Sequence, residues 1–300
     1  MALRCDFGEV ITAMVTPFDK ERNVDYRAVE KIAKHLVEQK TDSIVVAGTT
    51  GESPTLEHDE ESEILMCVKS AVAGEAKIVM GAGSNSTKTA VKSSIMAQEL
   101  GADAILSVVP YYNKPSQKSM IEHFGQIAKN VDIPIILYNI PSRTGVNMEP
   151  ETIAFLAKEY SNIIAVKQSN PNLDLISEIK LLAPEDFIIY CGDDSLTLPM
   201  LSLGAQGVVS VASHVVGNEI KSMIHNYKSG QVLAAQNMHK NLYPLFKKIF
   251  MAPNPTPIKA LLSKMGLMEN FVRRPLVELG EVERLELQEC LNKIQKSLEE

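Results

Sequence analysis

At 300 residues the chain is long enough for one large α/β domain with a smaller addition, since a single barrel commonly takes about 250 residues. Hydrophobic residues make up 45% and charged residues 22%; this is ordinary for a soluble globular protein, and no apolar run approaches the roughly 20 residues that span a bilayer. A formal net charge of -7 without clustered Lys and Arg argues against a nucleic-acid surface and leaves a small molecule as the expected partner.

Residues 1–8 include Arg4 and Asp6 and hold no apolar stretch long enough for a signal peptide, so a cytoplasmic location is expected. Cys5, Cys67, Cys191 and Cys290 are scattered, with no CxxC pair and no His spaced to complete a zinc site. They read as reduced thiols, and no metal is expected.

Eight short apolar segments follow one another, each trailed by an amphipathic stretch: residues 10–18, 43–48, 77–83, 104–111, 133–141, 163–169, 187–194 and 207–213. Near-continuous hydrophobicity is what strands buried on both faces show, which indicates a parallel sheet covered by helices. Among the helical stretches, residues 25–39 place Val29, Ile32, Ala33, Leu36 and Val37 on one face. Asp59-Glu60-Glu61 opens a second helix, and Ser86-Thr87 caps a third. Eight β-α repeats fit an α/β fold of the (β/α)8 TIM-barrel type better than an open doubly wound sheet, although counting repeats leaves the latter open. Residues 1–230 then form the barrel. Residues 231–300 form a C-terminal helical extension, broken by Pro253, Pro255, Pro257 and Pro275, whose apolar stretch 242–251 serves an oligomer interface or packs on its own barrel.

A barrel of this kind carries its active site at the C-terminal strand ends. The second segment runs into Gly48-Thr49-Thr50-Gly51-Glu52, the fourth into Tyr111-Tyr112, the fifth into Tyr138-Asn139 and Pro141-Ser142-Arg143-Thr144-Gly145, and the sixth into Lys167. Alternation puts Lys167 on the side of Ile163 and Ala165. If that side is the interior, desolvation lowers the amine's pKa from about 10.4 and frees it as a nucleophile toward a carbonyl. An arbitrary strand-end lysine instead snorkels to water. Tyr138, one β-α unit earlier, is a proton shuttle if it meets Lys167, and a core-filling ring if it does not. Thr50 and Tyr112 add hydroxyls for a relay, and the Gly-Thr-Thr-Gly turn offers backbone N–H groups to a small carboxylate. Arg143 has no arginine neighbour in sequence between Arg27 and Arg273, while lysines abound there. Its planar fork suits a bidentate grip on a carboxylate; a chance surface arginine is the alternative.

These elements, with Pro110-Tyr111-Tyr112-Asn113-Lys114-Pro115, Ala165-Val166-Lys167 and Cys191-Gly192-Asp193-Asp194, make the sequence resemble the dihydrodipicolinate synthase and N-acetylneuraminate lyase superfamily over nearly the whole chain. The resemblance implies a class I aldolase-type lyase in which Lys167 forms a Schiff base with pyruvate and Tyr138, Thr50 and Tyr112 relay protons, Tyr112 reaching into a neighbouring subunit. It further implies that Thr49 and Thr50 hold the pyruvate carboxylate, that the backbone of Gly192 and Val209 lines the pocket, and that Arg143 binds the carboxylate of L-aspartate 4-semialdehyde. The product would be 4-hydroxy-tetrahydrodipicolinate, formed by a homotetramer without an organic cofactor. In lysine-inhibited relatives an effector pocket includes positions matched here by His58, Asn85 and Tyr111, but Glu61 and Thr89 replace a histidine and a glutamate, so weak or absent inhibition is expected. A further departure is Gln168-Ser169-Asn170 after the lysine, which leaves that pocket wall open.

Three other readings compete. A sialic acid or 2-keto-3-deoxy sugar-acid aldolase would share Lys167 and Tyr138 but generally lacks an arginine like Arg143. A dinucleotide-dependent oxidoreductase is suggested by Gly81-Ala82-Gly83 and fails at Ser86, where the third glycine belongs. A non-catalytic keto-acid-binding barrel would need a missing catalytic group, and none is missing.

Overall fold

The computed structural model describes residues 6–299. Eight strands appear in chain order: β1 Val10–Ala13, β2 Ser43–Val46, β3 Lys77–Gly81, β4 Ala104–Val108, β5 Ile135–Asn139, β6 Ile163–Gln168, β7 Ile188–Cys191 and β8 Gly207–Ser210. They close into a barrel in that order, and the pairs β1–β2, β3–β4, β4–β5, β5–β6, β6–β7 and β7–β8 are parallel. All eight apolar segments therefore contain a strand, each shorter than its apolar run, because the run continues into the loop that follows. The helices are α1 Tyr26–Glu38, α2 His58–Val72, α3 Thr87–Glu99, α4 Gln117–Ala128, α5 Pro141–Thr144, α6 Pro150–Glu159, α7 Asp174–Leu182, α8 Thr197–Ser202, α9 Ser213–Lys228, α10 Val232–Lys248, α11 Thr256–Lys264 and α12 Glu281–Glu299.

Local chemistry accounts for these boundaries. The Asp25 carboxylate accepts the N–H groups of Arg27 and Ala28 and starts α1, which buries Ala28, Val29, Ile32, Ala33 and Leu36 along one stripe. In α2 the cap lies at Glu57, two residues before Asp59, and Glu57 and Glu60 form a reciprocal capping box. Ser86 caps α3 as its sequence indicates.

Two compact units divide the chain. One comprises Lys77–Val209 and the residues just before Glu9; the other comprises Glu9–Ala76 and the residues from Ser210 onward. In the first, β5 and β6 are buried at every position. Gly83 is required after β3, because a Cβ there would lie 2.3 Å from the Val108 nitrogen. In the second, α1 packs on α2, and α9 and α12 pack on α10. Pro257, read from the sequence as a helix breaker, sits in the first turn of α11, where its missing N–H costs nothing, and Pro244 lies inside α10. Leu242, Leu245, Phe246 and Ile249 are buried within this unit, while Tyr243, Phe250 and Met251 stay exposed. Cys67, Cys191 and Cys290 are free thiols; Cys5 lies outside the described residues. Among the described residues no helix is long and apolar enough to cross a membrane.

Candidate active site

In the first unit, parallel pairing sets Tyr138 of β5 directly beside Lys167 of β6, and Lys167 beside Tyr190 of β7. In-register neighbours on parallel strands present side chains to the same face, so the register itself brings the phenol and the amine together. The Lys167 Nζ lies 4.2 Å from the centroid of the Tyr138 ring. Both residues are buried, with 7% and 6% of their surface exposed, so the lysine does not snorkel to water. One detail of the alternation differs from expectation. Ile163 pairs with Ile135 but Ala165 pairs with Ile136; the extra residue at Ile164 keeps Ala165 and Lys167 on one face and puts Ile163 on the other.

Gly192, just past β7, is shaped by the same lysine. A Cβ there would lie 3.1 Å from the Lys167 Cε and 1.9 Å from the Ser169 Oγ, so the lysine stem crosses a position that tolerates only glycine. The Gly192 N–H is already donated to the Gln168 carbonyl. Val209 is buried on β8. Burial also pushes the Cys191 thiol well up from its ordinary pKa, which keeps it protonated and inert.

A network that sequence reasoning missed fixes this wall. Asn139 Nδ2 donates to Gln168 Oε1 at 3.0 Å and to Asn147 Oδ1 at 2.9 Å, and the Met148 N–H donates to Asn139 Oδ1. Asn170 Nδ2 donates to the same Asn147 oxygen. Gln168 and Asn170, the unusual residues after the lysine, are therefore tied to the end of β5 next to Tyr138. The signal available in sequence was a buried-strand asparagine directly following that tyrosine.

Arg143 stands on the four-residue α5, held by Pro141 at its start and Gly145 in a left-handed conformation at its end. The buried Thr144 hydroxyl donates to the carbonyls of Ile140 and Val146, locking the turn. The Arg143 guanidinium is exposed and has no ion-pair or hydrogen-bond partner among the described residues. The stem of Lys114 lies over Gly145, adding a second cation to this loop. Tyr112 is 90% exposed and adopts φ 71°, a strained conformation for a non-glycine residue, so its phenol is held out from its own unit.

The second unit carries the Thr-Thr turn after β2. Ala47 and Glu52, at its two ends, both have positive φ. The Thr16 hydroxyl donates to the Gly51 carbonyl at 2.7 Å. Thr49 is half-buried; Thr50 is buried and accepts a hydrogen bond from Asn254 Nδ2 at 2.9 Å. Glu52 is buried against Lys259 at 2.5 Å, and its other oxygen accepts the Arg273 N–H. Burial pulls the Lys259 pKa down to about 8 despite the opposing pull of Glu52, so the pair is still ionic at neutral pH. The Arg273 guanidinium in turn grips Glu60 with two nitrogens.

His58, Asn85 and Tyr111, read as an effector pocket, lie at the start of α2 and in the loops after β3 and β4. His58 is exposed and pairs with Glu61 on α2 at 3.1 Å. Glu61 has its carboxyl pKa raised by burial, with His58 opposing. Asn85 accepts from Asn113 through its carbonyl, Tyr111 is partly exposed, and the Thr89 N–H is used by the Ser86 cap.

Residues 6–294 match the model of the dihydrodipicolinate synthetase family. The chain belongs to that family. Within the dihydrodipicolinate synthetase family it is 46% identical over 289 residues to the 4-hydroxy-tetrahydrodipicolinate synthase of Bacillus subtilis, covering 96% of this chain and 100% of that one. It is 54% identical over 273 residues to the enzyme of the same name from a Cyanothece species, covering 91% and 92% of the two chains. A crystal structure of the Cyanidioschyzon merolae relative with lysine bound matches with a TM-score of 0.94 at 45% identity, covering 96% of this chain and 98% of that one.

Proposed function

We propose that the chain condenses pyruvate with L-aspartate 4-semialdehyde to 4-hydroxy-tetrahydrodipicolinate, the committed step toward diaminopimelate and lysine. The carrying observation is the buried Lys167 amine against the Tyr138 ring on the adjacent strand. The amine there attacks the pyruvate ketone, and loss of water gives an imine. Proton removal from the methyl group gives an enamine, which adds to the aldehyde; the amino group of the bound semialdehyde then displaces lysine from the imine carbon and closes the ring. Each step moves a proton, the role of the Tyr138 phenol, with Thr50 and Tyr112 as further members of the relay. The imine is its own electron sink, so the reaction calls for neither metal nor organic cofactor.

Thr49 and Thr50 are assigned to the pyruvate carboxylate, Gly192 and Val209 to the pocket lining, and Arg143 to the carboxylate of the semialdehyde. The free guanidinium supports the last assignment, since a planar fork without a protein partner is available for a bidentate contact. The exposure and backbone strain of Tyr112 support a role at a second subunit, in keeping with a cytoplasmic homotetramer. The names of the relatives and Arg143 both favour this reading over a sugar-acid aldolase. Turnover assayed with pyruvate and aspartate semialdehyde, in parallel with pyruvate and N-acetylmannosamine, decides between them; activity on the sugar alone overturns the proposal.

A further inference from the structure

We propose that Asn139 is a positioning residue for the second substrate: its side chain roots the loop that carries Arg143 in the frame that holds Lys167 and Tyr138. The inference rests on the assignment of Arg143 to the semialdehyde carboxylate above. Asn139 pairs in register with Gln168, one step along the strands from the pair of Tyr138 and Lys167. Successive residues of a strand alternate faces, so the two amides lie on the side of the sheet opposite the phenol and the amine. Both are buried, with 0% and 1% of their surface exposed. Asn139 therefore stands behind the reacting pair, out of reach of a substrate on its other face.

From that position Asn139 closes the base of the loop. Its Oδ1 accepts the Met148 N–H at 3.0 Å and its Nδ2 donates to the Met148 carbonyl at 3.2 Å, the same two-point contact that residues exchange across an antiparallel strand pair. The Nδ2 also reaches Gln168 Oε1 and Asn147 Oδ1. Both ends of residues 140–147 are thereby fixed to the end of β5, and Arg143 stands on the short helix between them. Arg143 has no hydrogen-bond or ion-pair partner of its own among the described residues, so the placement of its guanidinium is inherited from the loop base. The Gln168 Nε2 is buried without a hydrogen-bond partner, a cost that apolar side chains filling the same space would avoid. On the outer side Gln117 of α4 donates to the Asn147 carbonyl and accepts the Glu149 N–H, a second hold on the segment that remains when Asn139 is changed.

The test compares Asn139→Leu, Asn147→Ala, Asn147→Asp, Arg143→Ala and the double variant Asn139→Leu with Arg143→Ala. Leucine fills much the same space as asparagine and offers neither donor nor acceptor, so it opens the loop base. Asn139→Leu raises the KM for aspartate semialdehyde by about fivefold or more, while imine trapping with pyruvate and borohydride stays within about twofold of wild type. Asn147→Ala raises the same KM; Asn147→Asp, whose carboxylate keeps the acceptor for Asn139, leaves it within about twofold. In the Arg143→Ala background the Asn139 substitution changes kcat/KM for the semialdehyde by less than about twofold, because the group it acts through is gone. A wild-type semialdehyde KM in Asn139→Leu, trapping damaged in equal measure, or a full further loss in the double variant overturns the proposal while leaving the role of Arg143 intact. A wild-type semialdehyde KM in Arg143→Ala removes that role and the proposal with it. Should Asn139→Leu not fold, the Asn147 variants decide, and equal KM values in Asn147→Ala and Asn147→Asp overturn the proposal.

Discussion

Lys259→Met isolates the energetic weight of the buried ion pair beneath the Thr-Thr turn. Methionine matches the lysine stem in length, so little cavity forms, and the loss is that of the ammonium. Lys259 and Glu52 are 0% and 2% exposed, and their charged atoms are 2.5 Å apart. Removing the cation leaves the Glu52 carboxylate buried with the Arg273 N–H on one oxygen. Stranding one member of a buried pair costs about 3–5 kcal/mol. Since the Lys259 pKa is about 8, the full effect is present at pH 7. Urea unfolding followed by circular dichroism should show a lower midpoint with unchanged slope. Adding Glu52→Gln, which removes the stranded charge and keeps an acceptor for Arg273, should restore most of the loss, to within about 2 kcal/mol of wild type. A single variant within about 1 kcal/mol of wild type, or a double variant less stable than the single, would refute this reasoning.

Three other predictions concern separate parts of the molecule. Arg143→Ala should raise the KM for aspartate semialdehyde and cut turnover by about tenfold or more while leaving imine trapping with pyruvate intact; equal damage to trapping would assign the residue to the other substrate. Burial lowers the pKa of His214 from 6.5 to about 4, so the unfolded chain binds the extra proton first as pH falls. Its contribution to stability, roughly 3 kcal/mol, is complete above pH 6.5 and disappears as pH falls through 6.5 to 4; His214→Gln should flatten the denaturation midpoint across that window, and an unchanged slope counts against it. Initial rates at saturating pyruvate should be insensitive to L-lysine, because Glu61 is engaged by His58 and Thr89 offers no carboxylate; half-inhibition below about 1 mM would show a working effector site.

Much of this was legible in the sequence because strand hydrophobicity and caps are local. The eight strands, the start of α1 at Asp25 and the Ser86 cap all follow from neighbours within a few residues. The meeting of Tyr138 and Lys167 was legible for a different reason: in a parallel barrel consecutive strand ends are spatial neighbours, so two reactive groups one β-α unit apart can be paired without knowing the register. What escaped was set by register and by distance along the chain. The irregularity at Ile164 changes which face Ile163 takes, and no residue there announces it. Asn139, Asn147 and Gln168 read separately as ordinary polar residues, and only folding joins them. Glu52 stood inside a recognised motif, yet its partner Lys259 lies in the C-terminal helices, where a single lysine among apolar residues carries no local mark of burial.

Reduction with borohydride in the presence of pyruvate, followed by peptide mapping by mass spectrometry, tests the Schiff base most directly. The account predicts one carboxyethyl adduct per chain, on the peptide containing Lys167, and none in a folded Lys167→Ala variant that has lost turnover. An adduct on a different lysine, or its absence from an enzyme that turns over, would contradict it.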